Sequence, residues 1–233
     1  MIQETPLKVQ ADLRDLGNRP LDALRLLLLA DVLHRVAENL TGTSVTTITL
    51  GGSAVTGRLR PTLSKLGIPM PCPGRPVDQE DEGATAVVLR PATRDRGPTD
   101  SGALAVGTVT PTSLDALHHL KGRDPLILRL ALLRIPWGSP AMLSGARMHR
   151  AEETLLRWRF KVAGWKDAPV APPNGLDELH AVLTENLDTA TALRLLHRLE
   201  SDLHIASGAK FATFTDLDRI LGLDLRRPVL PWG

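Results

Sequence analysis

Hydrophobic and polar positions in the first half of the chain alternate between helical and strand periods. The leucine-rich run 21–40 lies between a proline and a glycine, which predicts a helix. The β-branched run 43–50 ends at two glycines and predicts a strand. Two further short strands are predicted at 84–90 and 103–109, and the Pro-, Gly- and acid-rich stretch 67–83 predicts a loop.

Only helical patterns follow in the second half of the chain. A short helix is predicted at 114–121, and an Asp-Pro pair at 124–125 predicts the start of a second helix that ends at Pro136. A Ser-Pro pair at 139–140 repeats this start signal for a long helix that ends near Ala163. After a proline-rich linker, further helices are predicted at 176–186, 189–206 and 214–221, with Gly208 and Gly222 as stops.

This order of elements predicts a fold class and a division into domains. Helix and strand alternate first and helices alone follow, which favours a reduced Rossmann-like α/β layer with a parallel sheet, then an all-α helical bundle. We place the α/β domain at residues 1–136, the bundle at 137–225 and a tail at 226–233. The polar N-terminus, residues 1–13, predicts no element and contains no signal-peptide core.

Composition excludes several classes of protein. Cys72 is the only cysteine, so a disulfide framework and a multi-cysteine zinc site within the chain are both excluded. The longest unbroken apolar run, 26–30, is far too short to span a bilayer. We therefore expect a soluble cytoplasmic protein with no membrane partner. The formal charge of +2 permits an anionic partner without requiring one.

A row of cations on the predicted long helix is the strongest candidate for binding. Met148, Leu155 and Trp158 fall at core spacing, and a basic stripe lies one residue ahead of such positions. The stripe consists of Arg147, Arg150, Arg157 and Lys161. Such a stripe can contact RNA phosphates, or it can be a solvated face partly neutralised by Glu152 and Glu153.

Other candidate chemistry is weaker. The turn LGGSAVTG at 50–57 follows a predicted strand but matches no phosphate-binding motif, so a plain strand-to-helix turn is expected. The histidines have no metal-ligand spacing, Cys72 has no basic helix start beside it, and no nucleophile carries a known local motif. We therefore expect no catalytic residue, no metal and no cofactor.

The segment 114–140, LDALHHLKGRDPLILRLALLRIPWGSP, resembles the class I cysteinyl-tRNA synthetase family just after its catalytic core. There a short helix leads to an Asp-Pro pair, an Arg- and Leu-rich helix and a Ser-Pro pair that starts the next helix. The similarity continues through 183–203, which resembles the family's helical tRNA-stem domain. Residues 214–225 look especially like the related mycothiol cysteine ligases, and residues 20–50 resemble the family's first catalytic helix and following strand.

The chain also departs from this family at positions that matter for catalysis. The family's histidine-containing signature, which holds the ATP phosphates, aligns with Pro20–Ala23, but the first histidine is His34. The family's lysine-rich signature loop should precede the 114–121 helix, yet no lysine lies between Lys65 and Lys121. The family's zinc site needs cysteine and histidine ligands that a chain with one cysteine cannot rebuild. Without concentrated positive charge at the phosphates, adenylation loses its main electrostatic stabilisation.

The resemblance therefore implies a shortened, degenerate paralogue without ATP-dependent aminoacylation. The leading hypothesis is a non-catalytic protein that binds tRNA, another RNA or a protein partner through its bundle. One alternative is an enzyme of specialised metabolism that acts on an aminoacyl-tRNA or a small aminoacyl substrate in a trimmed pocket. Another is a dimerising scaffold, because loss of domain segments uncovers apolar faces that pairing would cover again. No DNA partner is expected.

Overall fold

The structure, a computed structural model, describes residues 7–17, 19–75, 85–92, 103–110 and 122–228. The chain forms two compact units, of which the first comprises residues 1–125 and 137–143, and the second residues 126–136 and 144–233. The sequence predicts a single boundary after residue 136, whereas residues 126–136 belong to the helical unit and residues 137–143 to the first unit. The predicted helix at 114–121 lies outside the described residues.

The first unit is built on a parallel sheet, which confirms the predicted Rossmann-like α/β class. Its strands lie in the order β3-β2-β1-β4-β5, and each neighbouring pair is parallel. They are β1 (Leu7–Asp12), β2 (Val45–Leu50), β3 (Cys72–Pro73), β4 (Thr85–Pro91) and β5 (Ala103–Val106). The first three strands are added toward one edge of the sheet, and β4 and β5 then follow on the other side of β1. The strand order therefore reverses at β1. In open α/β sheets, ligands bind at the carboxyl ends of the strands beside such a reversal.

The central strand, β1, was missed by the sequence analysis. Val9 pairs with Thr47 of β2 on one side and with Val87 of β4 on the other. A strand in this position is normally a continuous apolar run. Here Gln10 and Asp12 are buried although they are polar, and they gave the segment the pattern of a solvated N-terminus.

Two helices connect the first strands, and the first lies close to its predicted position. Helix α1 (Pro20–Val36) continues into a π-helical turn (Ala37–Thr41) that ends at Gly42 in the left-handed region, with φ 69°. Helix α2 (Ser53–Lys65) follows β2. The predicted loop 67–83 contains the two-residue strand β3, and residues 76–83 lie outside the described part of the chain.

A second, two-stranded sheet corrects the prediction of one strand at 103–109. The chain breaks after β5, and β6 (Val109–Thr110) pairs in parallel with β7 (Ala141–Met142). Gly107 lies at the break, where an added Cβ would stand 2.1 Å from the carbonyl oxygen of Ser139. Arg25 of α1 donates from Nη1 to the carbonyl oxygens of Gly107 (2.8 Å) and Ser139 (2.6 Å). These bonds hold the segments around Gly107 and Ser139 together.

The second unit is helical, as predicted. It contains α3 (Leu126–Leu133), α4 (Gly145–Trp165), α5 (Leu176–Asn186), α6 (Thr189–Ser201) and α7 (Ser207–Leu221). The α4 residues predicted to face the core are all buried, namely Met148, Ala151, Leu155, Trp158 and Val162. The Trp158 ring meets the Phe214 ring of α7 edge-on at 5.4 Å between centroids. Buried Arg129 of α3 donates from Nε to the Leu221 carbonyl oxygen at 2.6 Å.

Several predicted helix ends are wrong by a few residues. Helix α4 begins at Gly145 rather than after the Ser-Pro pair, because residues 141–142 join the small sheet and the Ser144 hydroxyl caps the helix. Helix α6 ends at Ser201, and Gly208, predicted as a stop, lies inside α7. Gly208 serves packing instead, since a Cβ there would stand 1.9 Å from the Pro169 carbonyl oxygen.

Among the helices of the described residues, none is both long enough and apolar enough to cross a membrane.

Candidate functional site

Two of the four cations in the predicted RNA-contact stripe have an internal partner. Arg157 Nε lies 2.7 Å and Lys161 Nζ 3.2 Å from Oε1 of Glu200 on α6. The Glu200 side chain is only 2% exposed, and its Oε2 also accepts from the Trp158 indole at 2.9 Å. Arg157 and Lys161 therefore tie α4 to α6, and their contact with RNA stays a prediction.

The pKa of the Glu200 carboxyl reflects its contacts with Arg157 and Lys161. Burial by itself raises the pKa of the Glu200 carboxyl. Hydrogen bonds from Arg157, Trp158 and Lys161 outweigh that effect and lower its pKa to about 2. The carboxylate is therefore ionised at neutral pH, and it neutralises much of the charge at the inner end of the stripe.

The other two stripe residues, Arg147 and Arg150, lie near a cation that the sequence analysis did not include. Arg134 follows α3, and its Nη1 donates to Thr154 Oγ1 at 3.1 Å and to the Arg150 carbonyl oxygen at 3.4 Å. Loss of surrounding water lowers the pKa of Arg134, and the charges of Arg150, Arg157 and Arg147 lower it further. Like charges thus accumulate around Arg134.

A pocket of about 710 Å³ opens beside Arg134 in the helical unit. Its apolar part is formed by Leu130, Trp158, Ala190 and Leu193, and its polar part by Arg134, Thr154, Thr191, Arg194, His197 and Arg198. None of the described residues that line it is acidic. We call Arg134, Arg147, Arg150, Arg194 and Arg198 the cationic face.

Helix α6 supplies most of the polar wall of this pocket. Arg194, His197 and Arg198 are three and four residues apart, which places them on one side of the helix. Asp188 caps α6 by accepting from the Thr191 backbone N–H at 2.9 Å, and Arg194 Nη2 donates to Thr191 Oγ1 at 2.7 Å. This i, i+3, i+4 spacing was a readable signal. The proximity of these α6 residues to Arg134 cannot be recognised in the sequence, because Arg134 lies far from them along the chain.

A second polar cluster lies at the carboxyl ends of β1 and β4 in the first unit. Arg14 donates from Nε to Asp12 Oδ1 at 2.9 Å and from Nη2 to Asp12 Oδ2 at 2.7 Å, and Arg90 Nε lies 3.8 Å from Oδ2. Burial raises the pKa of Asp12, but the bonds from Arg14 and the charges of Arg14 and Arg90 give a net lowering. This cluster lies where the sheet order reverses.

The segment aligned with the family's ATP signature has a structural role here. Residues 20–23 form the buried first turn of α1. Asp22 accepts from the Val109 backbone N–H at 2.5 Å and lies 2.7 Å from Arg19 Nε. Burial raises the pKa of Asp22 despite these partners. The first turn of α1 is thus buried and supports β6 through Asp22.

The glycines of the 50–57 turn are explained by packing. Gly51 and Gly52 have φ values of 65° and 68°, in the left-handed region. An added Cβ would stand 2.7 Å from Arg14 Cγ at Gly51 and 2.6 Å from Leu13 Cβ at Gly52. The turn therefore packs directly on the segment that follows β1, which accounts for both glycines without a ligand.

The remaining candidates form no site in the described residues. Cys72 is an exposed free thiol on β3, and His118 and His119 lie outside the described residues. His180 Nε2 lies 2.9 Å from Asp216 Oδ2. Within the part of the chain that the structure describes, no group of three or more His, Cys, Asp or Glu side chains could hold a metal ion.

Part of the chain is similar in sequence to a known bacterial ligase, although no protein-family model matches it. The relative is the L-cysteine:1D-myo-inositol 2-amino-2-deoxy-alpha-D-glucopyranoside ligase of Thermobifida fusca (strain YX), with 34% identity over 110 residues. The aligned part covers 46% of this chain and 26% of the ligase, so the chain spans about a quarter of its relative's length. Just under half of the chain is therefore similar in sequence to part of a cysteine ligase.

Proposed function

We propose that this protein binds RNA, tRNA included, through the cationic face of its helical unit and does not catalyse ATP-dependent aminoacylation. The observation that carries the proposal is the pocket bordered by Arg134, Arg194 and Arg198, with no acidic side chain among its described lining residues. Guanidinium groups match phosphate in shape and bind it through paired hydrogen bonds.

The distribution of charge supports an anionic partner rich in phosphate. Glu200 neutralises Arg157 and Lys161 from within, while Arg147 and Arg150 add to the charge around Arg134. Holding these guanidiniums close together costs free energy in the absence of a ligand, and a phosphate chain would relieve that repulsion. An acidic protein could also do so, and competition between the two kinds of polyanion distinguishes them.

A gel-shift titration with total tRNA tests the proposal. The variant Arg194→Glu/Arg198→Glu should weaken binding by at least about tenfold, since each reversal removes a phosphate contact worth about 1 kcal/mol or more. The matched control is Arg60→Glu/Lys65→Glu, because these exposed residues on α2 undergo the same change of charge in the other unit. If the unmodified chain causes no shift at low salt, or if both variants lose binding equally, the proposal is wrong. Competition by polyglutamate as strong as by tRNA would favour an acidic protein instead.

A second candidate function is favoured by the cluster at the sheet edge. Asp12, Arg14 and Arg90 place both signs of charge where α/β sheets bind ligands, which suits an amino acid with its ammonium and carboxylate groups. The ligase from T. fusca is named for L-cysteine and an amino sugar as its substrates. This candidate is an enzyme that acts on a small aminoacyl substrate, and amino-acid-dependent pyrophosphate exchange tests whether any adenylation remains. Clear exchange with cysteine would overturn the non-catalytic part of our proposal.

A further inference from the structure

We infer that the pocket of the cationic face receives one nucleotide from an unpaired stretch of RNA, rather than the phosphate backbone of a duplex. The inference rests on the proposed function, because it specifies what kind of RNA the same surface binds. It follows from the chemistry of the pocket walls, the size of the pocket and the way its guanidiniums are held.

The walls of the pocket differ in chemistry from one part to another. Leu130, Ala190 and Leu193 provide apolar surface, while Arg134, Arg194 and Arg198 provide positive charge. A surface that follows duplex phosphates needs cations alone and no apolar recess. An apolar surface beside guanidiniums matches a nucleotide, whose base is flat and largely apolar on its faces and whose phosphate is anionic.

The size of the pocket fits this ligand. Its volume of about 710 Å³ lies within the range of ~300–1,000 Å³ that is usual for small-molecule sites. A paired base cannot enter such a recess, because it remains stacked within its helix. A base in a loop, a bulge or a single-stranded end has no such restriction.

Two guanidiniums of the wall are held in place before any ligand binds. Arg134 donates to the Thr154 hydroxyl at 3.1 Å, and Arg194 donates to the Thr191 hydroxyl at 2.7 Å. Each arginine has further N–H groups to offer, so these bonds orient the side chain without using all its donors. A ligand then binds without the full cost of ordering two long side chains.

Calorimetry on the unmodified full chain provides the first test. We expect uridine 5′-monophosphate to bind at least about tenfold more tightly than either uridine or inorganic phosphate, because only the nucleotide uses both walls. Arg194→Glu should remove most of this binding, and Arg60→Glu should not. If phosphate binds as tightly as the nucleotide, or if Arg194→Glu has no effect, the inference is wrong.

A pocket-filling variant provides the second test. Ala190→Leu adds apolar volume inside the pocket without changing charge, and Ala163→Leu makes the same change at an exposed position on α4. Filling the pocket should reduce binding of a single-stranded RNA oligonucleotide several-fold and leave binding of an RNA duplex unchanged. An equal effect on both RNAs would overturn the inference. The calorimetric result on the unmodified chain decides the question if Ala190→Leu fails to fold.

The two proposals fail in different ways. Suppose that tRNA binding depends on the arginines but that the protein prefers neither the nucleotide over phosphate nor single-stranded over duplex RNA. This inference would then be wrong, and the proposed function would still hold. Nucleotide binding that depends on Arg194, without a shift of any RNA at low salt, would remove the proposed function. The inference would fail with it, because the pocket would then serve a free small molecule.

Discussion

Glu200 joins the two helices, α4 and α6, that carry four of the five arginines of the cationic face. Its carboxylate lies in the interior, where it accepts hydrogen bonds from an arginine, a lysine and an indole N–H. Removing the charge from such a group leaves buried donors with a weaker acceptor, which is a recognised cause of large destabilisation. Glu200 thus holds α6, and with it the arginines of the pocket wall, against α4.

We predict that Glu200→Gln destabilises the protein at neutral pH and has little effect near pH 2. The folded pKa of about 2 lies below the ordinary value of 4.5, so the contribution of Glu200 is fully present above pH 4.5 and disappears as the pH falls through 2. A shift of this size corresponds to about 3 kcal/mol. Urea unfolding at pH 7 and pH 2 measures the difference in the free energy of unfolding. The control Glu153→Gln, at a carboxylate 57% exposed, should change little at either pH. Equal destabilisation by Glu200→Gln at both pH values would contradict the prediction.

At the scale of elements, the segment before α5 packs against the start of α7. The Pro169 carbonyl oxygen occupies the space that a Cβ at Gly208 would take, and the Asn174 backbone N–H donates to Thr213 Oγ1 at 2.9 Å. The proline-rich stretch 167–175 is therefore held along α7 although it has no regular structure. Gly208 predicts a helix stop because glycine is common at helix ends, but in the structure its lack of a side chain permits close contact with the Pro169 segment.

Two glycine substitutions test this interpretation as a pair. Gly208→Ala should destabilise the protein by about 1–3 kcal/mol, because the new methyl group displaces the backbone at Pro169. Gly164→Ala in α4 meets no atom within 4 Å and should stabilise the protein by about 0.5–1 kcal/mol through helix propensity. Thermal unfolding measures both changes, and a stabilising Gly208→Ala would contradict the packing described.

At the scale of the whole molecule, the net positive charge is small, but positive side chains are clustered on the cationic face. The chain carries a formal net charge of only +2, yet five arginines make up the cationic face. A small net charge gives weak long-range attraction, so RNA binding must depend on the local cluster.

The salt dependence of RNA binding should report this concentration directly. We predict that the logarithm of the RNA association constant falls linearly with the logarithm of the salt concentration. Arg194→Glu and Arg198→Glu should each reduce the magnitude of this negative slope by about 1. Arg60→Glu on α2 should leave the slope unchanged. Filter binding at several salt concentrations measures the slope. A slope that none of the three substitutions changes would contradict a role for the pocket arginines. The mass in solution tests the alternative of a dimerising scaffold.

The sequence predicted most helices and the fold class, but only part of the candidate site. The helices were readable because leucine spacing, capping residues and glycines agree along each segment, as at 176–186, where prediction and structure coincide. The central strand β1 was missed because its buried Gln10 and Asp12 have no local sign of burial. The basic stripe on α4 was visible, but the pairing of Arg157 with Glu200 depends on contact between helices, and so does the approach of Arg134 to α6.

The chain crosses between its two units three times, at residues 125–126, 136–137 and 143–144. No single cut can therefore release either unit as one continuous polypeptide. A fragment that starts at residue 137 would carry β7 without its partner β6 and would lose α3, whose Arg129 binds the Leu221 carbonyl oxygen. To obtain the helical unit alone, one would keep 126–136, replace 137–143 by a short polar linker and continue from Ser144. Such a polypeptide would allow RNA binding to be measured without the sheet.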